Sequence, residues 1–140
     1  MDDLKKYIRD IPDFPKKGIV FKDITPMLGD GGAFGKVIDA FAERIEGKGV
    51  TKVVGIESRG FIFGSALAHK LELGFVPVRK PGKLPYQTVR ESYELEYGTD
   101  AIEMHRDAVG AGEKVVLVDD RLATGGTLAA CANIVKSVGG

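Results

Sequence analysis

A single cysteine, Cys131, stands in the chain, so no disulfide can form within it. That fits a reducing, cytoplasmic compartment. Net charge is missing too: twenty Lys and Arg face twenty Asp and Glu, for a formal net charge of +0. A surface built for nucleic acid or anionic lipid carries a basic surplus, so neither partner is expected. Long hydrophobic runs are absent. The longest, around 61 to 68, is interrupted by Gly64 and Ser65 and is far too short to span a bilayer. The start, Met1 to Lys6, has charges with no apolar stretch behind them, which predicts no export leader. The two histidines, His69 and His105, lie far apart without ligand spacing, so no histidine metal site is expected. No internal repeat or low-complexity stretch is visible.

Against these absences stand 44% hydrophobic residues and nineteen glycines in 140 residues. The first is enough for a single domain over 1–140 with one core. The second implies many sharp turns, or backbone that must approach a ligand closely.

Residues 2–9 read as a short helix stopped by Pro12 and Pro15. Residues 19–24 read as a short strand or an ordered loop, and Gly29 to Gly32 as a turn. From Ala33 the apolar positions Phe34, Val37, Ile38, Phe41 and Ile45 fall at helical spacing. Val53 to Ile56 is a buried strand, followed by a helix to about Leu71. Phe75 to Val78 is the next strand, with Pro77 suited to an edge or a bulge. Residues 79–91 are polar, basic and turn-rich. Tyr93 to Tyr97 and Ala101 to His105 pair as a hairpin. Val115 to Val118 is the cleanest buried strand, and a helix runs from about Gly126 to Lys136, on which Cys131 reads as a residue of the domain core. Helices following strands predict an α/β domain with a mostly parallel central sheet and flanking helices. Ligands of such sheets sit at the carboxyl ends of the strands, where loops 57–60, 79–83 and 119–127 converge.

The strongest chemical signal is the run from Val115 to Thr127. An apolar strand delivers Asp119 and Asp120 to its exposed end. A small loop, Ala123, Thr124, Gly125, Gly126 and Thr127, then opens a helix. Its backbone N–H groups, the helix N-terminus and the threonine hydroxyls suit a phosphate monoester. The adjacent carboxylates suit two vicinal hydroxyls. Phosphate and diol side by side describe a ribose 5-phosphate. Read more plainly, the acids cap a turn and the glycines serve a tight connection. Neither the G-x-x-x-x-G-K-[ST] pattern nor G-x-G-x-x-G is present.

This run resembles the phosphoribosyl-diphosphate-binding motif of type I phosphoribosyltransferases. Four further segments are similar to the adenine-specific branch of that family. They are Ile11 to Pro15 through Phe21 to Pro26, Glu57 to Phe61, Arg79 to Pro85, and Tyr93 to Gly98. The resemblance covers essentially the whole chain. It implies the type I phosphoribosyltransferase fold, with an N-terminal hood over 1–28, a flap and hairpin over 79–105, and the ribose-phosphate motif over 115–127. It implies transfer of the phosphoribosyl group to adenine, giving AMP and diphosphate in purine salvage. Mg²⁺ would be held mainly through substrate and water, with no direct protein ligand, and the chain would form a homodimer.

The resemblance also assigns roles. Ser58, Arg59, Arg79, Lys80 and Lys83 would bind the diphosphate, Arg59 as a planar fixed cation. Glu96 would take a proton from the base or recognise it. Backbone groups of Val20 and Lys22 would read the purine edge, with Phe21 stacked on its face. Arg59, Asp119, Asp120 and Glu96 form the catalytic set. Gly82 and the residues to Glu91 resemble a mobile flap that closes over the reacting centre. Taken singly, the same residues have plainer uses: a surface arginine, a solvated loop, an exposed strand carboxylate, a packing segment.

The chain departs from the family pattern at Lys22, where arginine is frequent, at Pro81, where a basic residue is frequent, and at Arg121, where an apolar residue is usual. It also stops at Gly140, where family members continue into another strand and a tail. That predicts an uncovered sheet edge, and with it association or lost activity. The rival readings are a transferase for another purine base, a non-catalytic binding protein of the same fold, and an inactive fragment.

Overall fold

The computed structural model describes residues 6–14, 17–18, 20–57, 59–95 and 98–118. They fall into two compact units, Met1–Arg44 and Ile45–Gly140.

In the first unit, β1 (Arg9–Pro12) pairs antiparallel with β2 (Val20–Asp23), in a register that sets Arg9 against Asp23 and Pro12 against Val20. The expected helix over 2–9 is not formed in its described part: Lys6 and Tyr7 make one tight turn and Arg9 already belongs to β1. An eight-residue helix is marginal on nucleation grounds, and pairing with β2 satisfies the backbone instead. After β1 the chain reverses through Asp13, whose carboxylate accepts the Gly18 N–H at 2.8 Å. Asp23 Oδ1 accepts both the N–H and the hydroxyl of Thr25, at 2.9 and 2.8 Å, opening the short helix α1 (Thr25–Leu28).

Helix α2 runs Gly31–Ile45, two residues earlier than the apolar spacing indicates. Asp30 is the cause: its Oδ1 accepts the Ala33 N–H at 3.0 Å, so the Gly31-Gly32 pair enters the first turn. Ala33, Val37, Ile38 and Ala42 form its buried stripe.

The second unit is built on a five-stranded sheet in the order β5-β6-β4-β3-β7. β3 (Lys52–Ile56) is central and parallel to both β4 (Gly74–Arg79) and β7 (Val115–Val118). The hairpin β5 (Thr88–Leu95) and β6 (Gly98–His105) extends the sheet antiparallel, through β6 against β4. The hairpin is longer than the sequence pattern indicates. Thr88 to Glu91 belong to β5 rather than to a loop, because Val89 packs against the core and Thr88 pairs with His105.

Pro77 lies inside the sheet without breaking it. The Val78 carbonyl accepts the Glu57 N–H at 3.0 Å, so Val78 points its polar groups at β3. Pro77 therefore points to the opposite side, where β6 pairs only with Val78 and Arg79. The missing N–H falls where no ladder bond is made.

Alternation along β3 divides two packing layers. Val54 and Ile56 join Val76, Val78, Ile102, Met104 and Val109 in one core. On the other side Val53 and Gly55 meet α3 (Arg59–Leu71), which buries Phe63, Leu67 and Ala68. The approach is close because side chains are absent. A Cβ on Gly60 would lie 2.5 Å from the Val118 carbonyl oxygen, and one on Gly55 would lie 2.5 Å from the Gly60 carbonyl oxygen. The start of α3 is thereby pressed against the ends of β3 and β7. Among the described residues no helix is long and apolar enough to cross a membrane.

Candidate active site

The carboxyl ends of β3 and β4 carry Glu57 and Arg79 side by side. Glu57 leaves β3 with its N–H still bonded to Val78, which fixes where its side chain begins. Its carboxylate is mostly buried, with 15% of the side chain exposed. Three groups from the following loop converge on it. The Lys80 backbone N–H donates to Oε1 at 2.7 Å and the Lys83 ammonium to Oε2 at 3.1 Å. Arg79 Nε stands 3.5 Å from Oε1 as an ion pair, outside hydrogen-bond geometry and buried. The Arg79 guanidinium lies 5.8 Å from the Phe61 ring centroid, and Phe61 packs edge-on to Phe75. Burial alone would raise the Glu57 carboxyl. The Lys80 N–H, the Lys83 ammonium and Arg79 outweigh it and hold the group below the ordinary carboxylate range.

Lys80 turns its side chain the other way, to the hairpin. Its ammonium bonds Asp100 Oδ2 and donates to the Tyr93 hydroxyl at 3.1 Å. Burial would lower this lysine, but Asp100 and Tyr93 hold it above its ordinary value. Asp100 is held below its own ordinary value, chiefly by Lys80 and then by the Ala101 N–H.

Sequence reasoning placed Arg79, Lys80 and Lys83 together, and the structure gathers them around Glu57 and Asp100. The sequence pattern marks neither carboxylate as a partner of these cations. The signal available was a cationic loop in a chain of zero net charge, which needs acidic partners once partly buried. Segment 79–87 is also more fastened than its turn-rich composition indicates. Gly82 donates to Glu103 at 3.1 Å, Tyr86 to His105 Nε2 at 3.3 Å, and Arg106 to the Gln87 carbonyl at 2.9 Å.

Arg59 is the first residue of α3, half-buried and with partners of its own. Val20 lies in β2 of the first unit with 55% of its surface exposed. Phe21 and Lys22 follow it in the same strand. Ser58, Glu96, Asp119, Asp120, Arg121 and the loop Ala123, Thr124, Gly125, Gly126 and Thr127 lie outside the described residues, as do Cys131 and the helix expected over 126–136. Among the described residues no group of three His, Cys, Asp or Glu is placed to hold a metal ion.

Arg79 and Lys83 at the carboxyl ends of the parallel strands β3 and β4, with Lys80 beside them on the hairpin side, suit a multiply charged anion. Glu57 takes one of the three donors of the Lys83 ammonium, which leaves it chemistry for a second acceptor.

Comparison with known proteins extends this picture. Residues 26–140 match the family model of the phosphoribosyl transferase domain. An adenine phosphoribosyltransferase of Geotalea uraniireducens is 59% identical over 139 residues, covering 99% of this chain and 81% of the relative. The crystal structure of the adenine phosphoribosyltransferase of Thermoanaerobacter pseudethanolicus superposes with a TM-score of 0.95 at 57% identity, over 99% of this chain and 81% of that one. The Saccharomyces cerevisiae adenine phosphoribosyltransferase, solved with an imino-altritol bisphosphate and adenine, gives 0.93 at 44% identity, over 98% of this chain and 80% of that one.

Proposed function

Because the chain belongs to the adenine phosphoribosyltransferases, within the phosphoribosyl transferase domain family, we propose that it transfers the 5-phosphoribosyl group of phosphoribosyl diphosphate to adenine, giving AMP and diphosphate. The observation that carries this reading to the residues is the placing of Arg79, Lys80 and Lys83 at the carboxyl ends of β3 and β4.

In the transfer the C1–O bond to diphosphate breaks and a bond from adenine N9 to C1 forms. Negative charge grows on the leaving oxygens, so cations already fixed in place stabilise that state more than the ground state. Arg79, Lys80 and Lys83 supply them, with Arg59 from the start of α3, and Ser58 adds a hydroxyl donor to the diphosphate. Asp119 and Asp120 hold the ribose hydroxyls, and Ala123, Thr124, Gly125, Gly126 and Thr127 hold the 5-phosphate. Glu96 either recognises the base or takes the proton that adenine loses. Val20 and Lys22 read the base through their backbone, with Phe21 on its face. A magnesium ion would add charge neutralisation on the diphosphate. Glu57 and Asp100 are each already bonded to cations, which fits an ion held through substrate oxygens and water. A homodimer in the cytoplasm belongs to the same reading.

The test is diphosphate release from phosphoribosyl diphosphate with Mg²⁺, with and without adenine, and with hypoxanthine, guanine and xanthine in parallel. Adenine-dependent release with AMP formed is expected. Preference for another base would move the substrate, and absence of release with every base would remove the reading. The double change Asp119→Asn with Asp120→Asn is expected to abolish turnover; near-normal turnover would remove the ribose assignment.

A further inference from the structure

A carboxylate beside a diphosphate site is electrostatically misplaced, since like charges repel. Glu57 is there nonetheless, and its geometry gives the reason. The turn from Lys80 to Lys83 is held by its backbone at two points. The Lys80 N–H donates to Glu57 at 2.7 Å and the Gly82 N–H to Glu103 at 3.1 Å. At the second of these points Gly82 adopts φ +83, a region glycine enters without strain. The second Glu57 oxygen takes the Lys83 ammonium, so one side chain sets the spacing between the start of the turn and its last cation. Glu57 can act as such a template because the sheet fixes its own backbone, through the bond to Val78.

We propose that Glu57 is a positioning residue for diphosphate: it touches no substrate, and by accepting the Lys80 N–H it keeps the 80–83 turn folded before the anion arrives. The proposal rests on the phosphoribosyl-transfer reading. A preformed turn spares the ordering cost that binding would otherwise carry. What matters is then the acceptor oxygen, not the charge.

Two near-isosteric changes separate these properties. Glu57→Gln keeps an acceptor for the Lys80 N–H and drops the charge. Glu57→Met drops both. Inorganic diphosphate is titrated by calorimetry into the full chain, and KM is measured for both substrates. Glu57→Gln is expected to bind diphosphate as well as the parent chain or better. Glu57→Met is expected to bind about tenfold more weakly, the effect of one buried donor left unmade. In Glu57→Met, KM for phosphoribosyl diphosphate rises by the same factor while KM for adenine stays put. Glu103→Ala, which frees the other end of the turn, is expected to shift diphosphate binding in the same direction. The proposal is overturned if Glu57→Met binds like the parent, if Gln and Met weaken binding equally, or if both KM values rise together. Should the parent bind diphosphate but fail to use adenine, the titration still decides the role of Glu57 while the transfer reading falls. Should it bind no diphosphate, both fall.

Discussion

Lys80 and Asp100 join two parts of the molecule that the chain order keeps apart. Lys80 stands in the loop after β4, and Asp100 on β6. Tyr93 is the direct cross-strand neighbour of Asp100 in the β5–β6 ladder. Its hydroxyl accepts from the Lys80 ammonium at 3.1 Å and donates to Asp100 Oδ2 at 3.4 Å. The cationic loop is thus tied to the β5–β6 hairpin.

The pair makes stability depend on pH at both extremes. Asp100 is held below its ordinary value, so its contribution is present above about pH 4 and is lost as pH falls through the folded value. Lys80 is held above its ordinary value, so its contribution is present below about pH 10 and is lost as pH rises through the folded value. Asp100→Asn is expected to flatten both limbs. At neutral pH it should lower stability by about 1 kcal/mol, as for a partly exposed pair. Urea unfolding at a series of pH values measures this. Limbs as steep as those of the parent would mean that the pair does not hold in solution.

A second titration sits at the opposite end of the parallel strands. Glu113 accepts the Gly110 N–H at 2.7 Å and the Thr51 hydroxyl at 2.8 Å, and pairs with Lys52 at 2.9 Å. These bring its carboxyl down to about 2, the Gly110 bond being the largest cause. Because the folded value is depressed, the stabilisation holds above the ordinary carboxylate range and disappears as pH falls towards about 2. Glu113→Gln is expected to remove part of the acid-induced loss seen in the parent chain. Its signature is a smaller change in thermal midpoint between pH 5 and pH 2.5.

Glycine has opposite meanings at two helical positions. A Cβ on Gly60 would meet the Val118 carbonyl oxygen at 2.5 Å and the Gly55 carbonyl carbon at 3.4 Å, both backbone atoms that cannot step aside. Gly60→Ala is expected to cost about 2 kcal/mol or more, the range of overpacked interiors. On α2, a Cβ on Gly35 would meet nothing within 4 Å. Gly35→Ala is expected to gain about 0.5–1 kcal/mol from helix propensity alone. Chemical denaturation of the two variants beside the parent gives both signs.

The apolar strands were legible because Val53 to Ile56 and Val115 to Val118 have few alternatives to burial. Helix α2 was legible from Val37 and Ile38, but its start was not, because the Asp30 cap outweighs the reluctance of two glycines. The length of β5 was hidden since Arg90 and Glu91 look like loop residues until Val89 has a core to pack against. In the site, the cations announced themselves by clustering within five residues of sequence. Glu57 and Asp100 did not, for each is an isolated acid whose partner lies about twenty residues away in sequence and meets it only across the sheet.

Lys83 provides the most direct check on the loop as an anion site. Its side chain is 47% exposed and its ion pair with Glu57 is partly solvated. Removing it should therefore change stability by less than about 1 kcal/mol. Binding is a different matter, because a cation aimed at a multiply charged substrate contributes through charge as well as contact. Lys83→Ala is expected to raise KM for phosphoribosyl diphosphate about tenfold, in line with one charge-assisted hydrogen bond. Raising ionic strength should weaken substrate binding less in the variant than in the parent, since one screened attraction is already gone. Lys114→Ala removes an exposed cation that precedes β7, at the far end of the strands, and serves as the comparison. Equal shifts in the two variants would mean that overall charge draws the substrate in, and that Lys83 makes no contact with it.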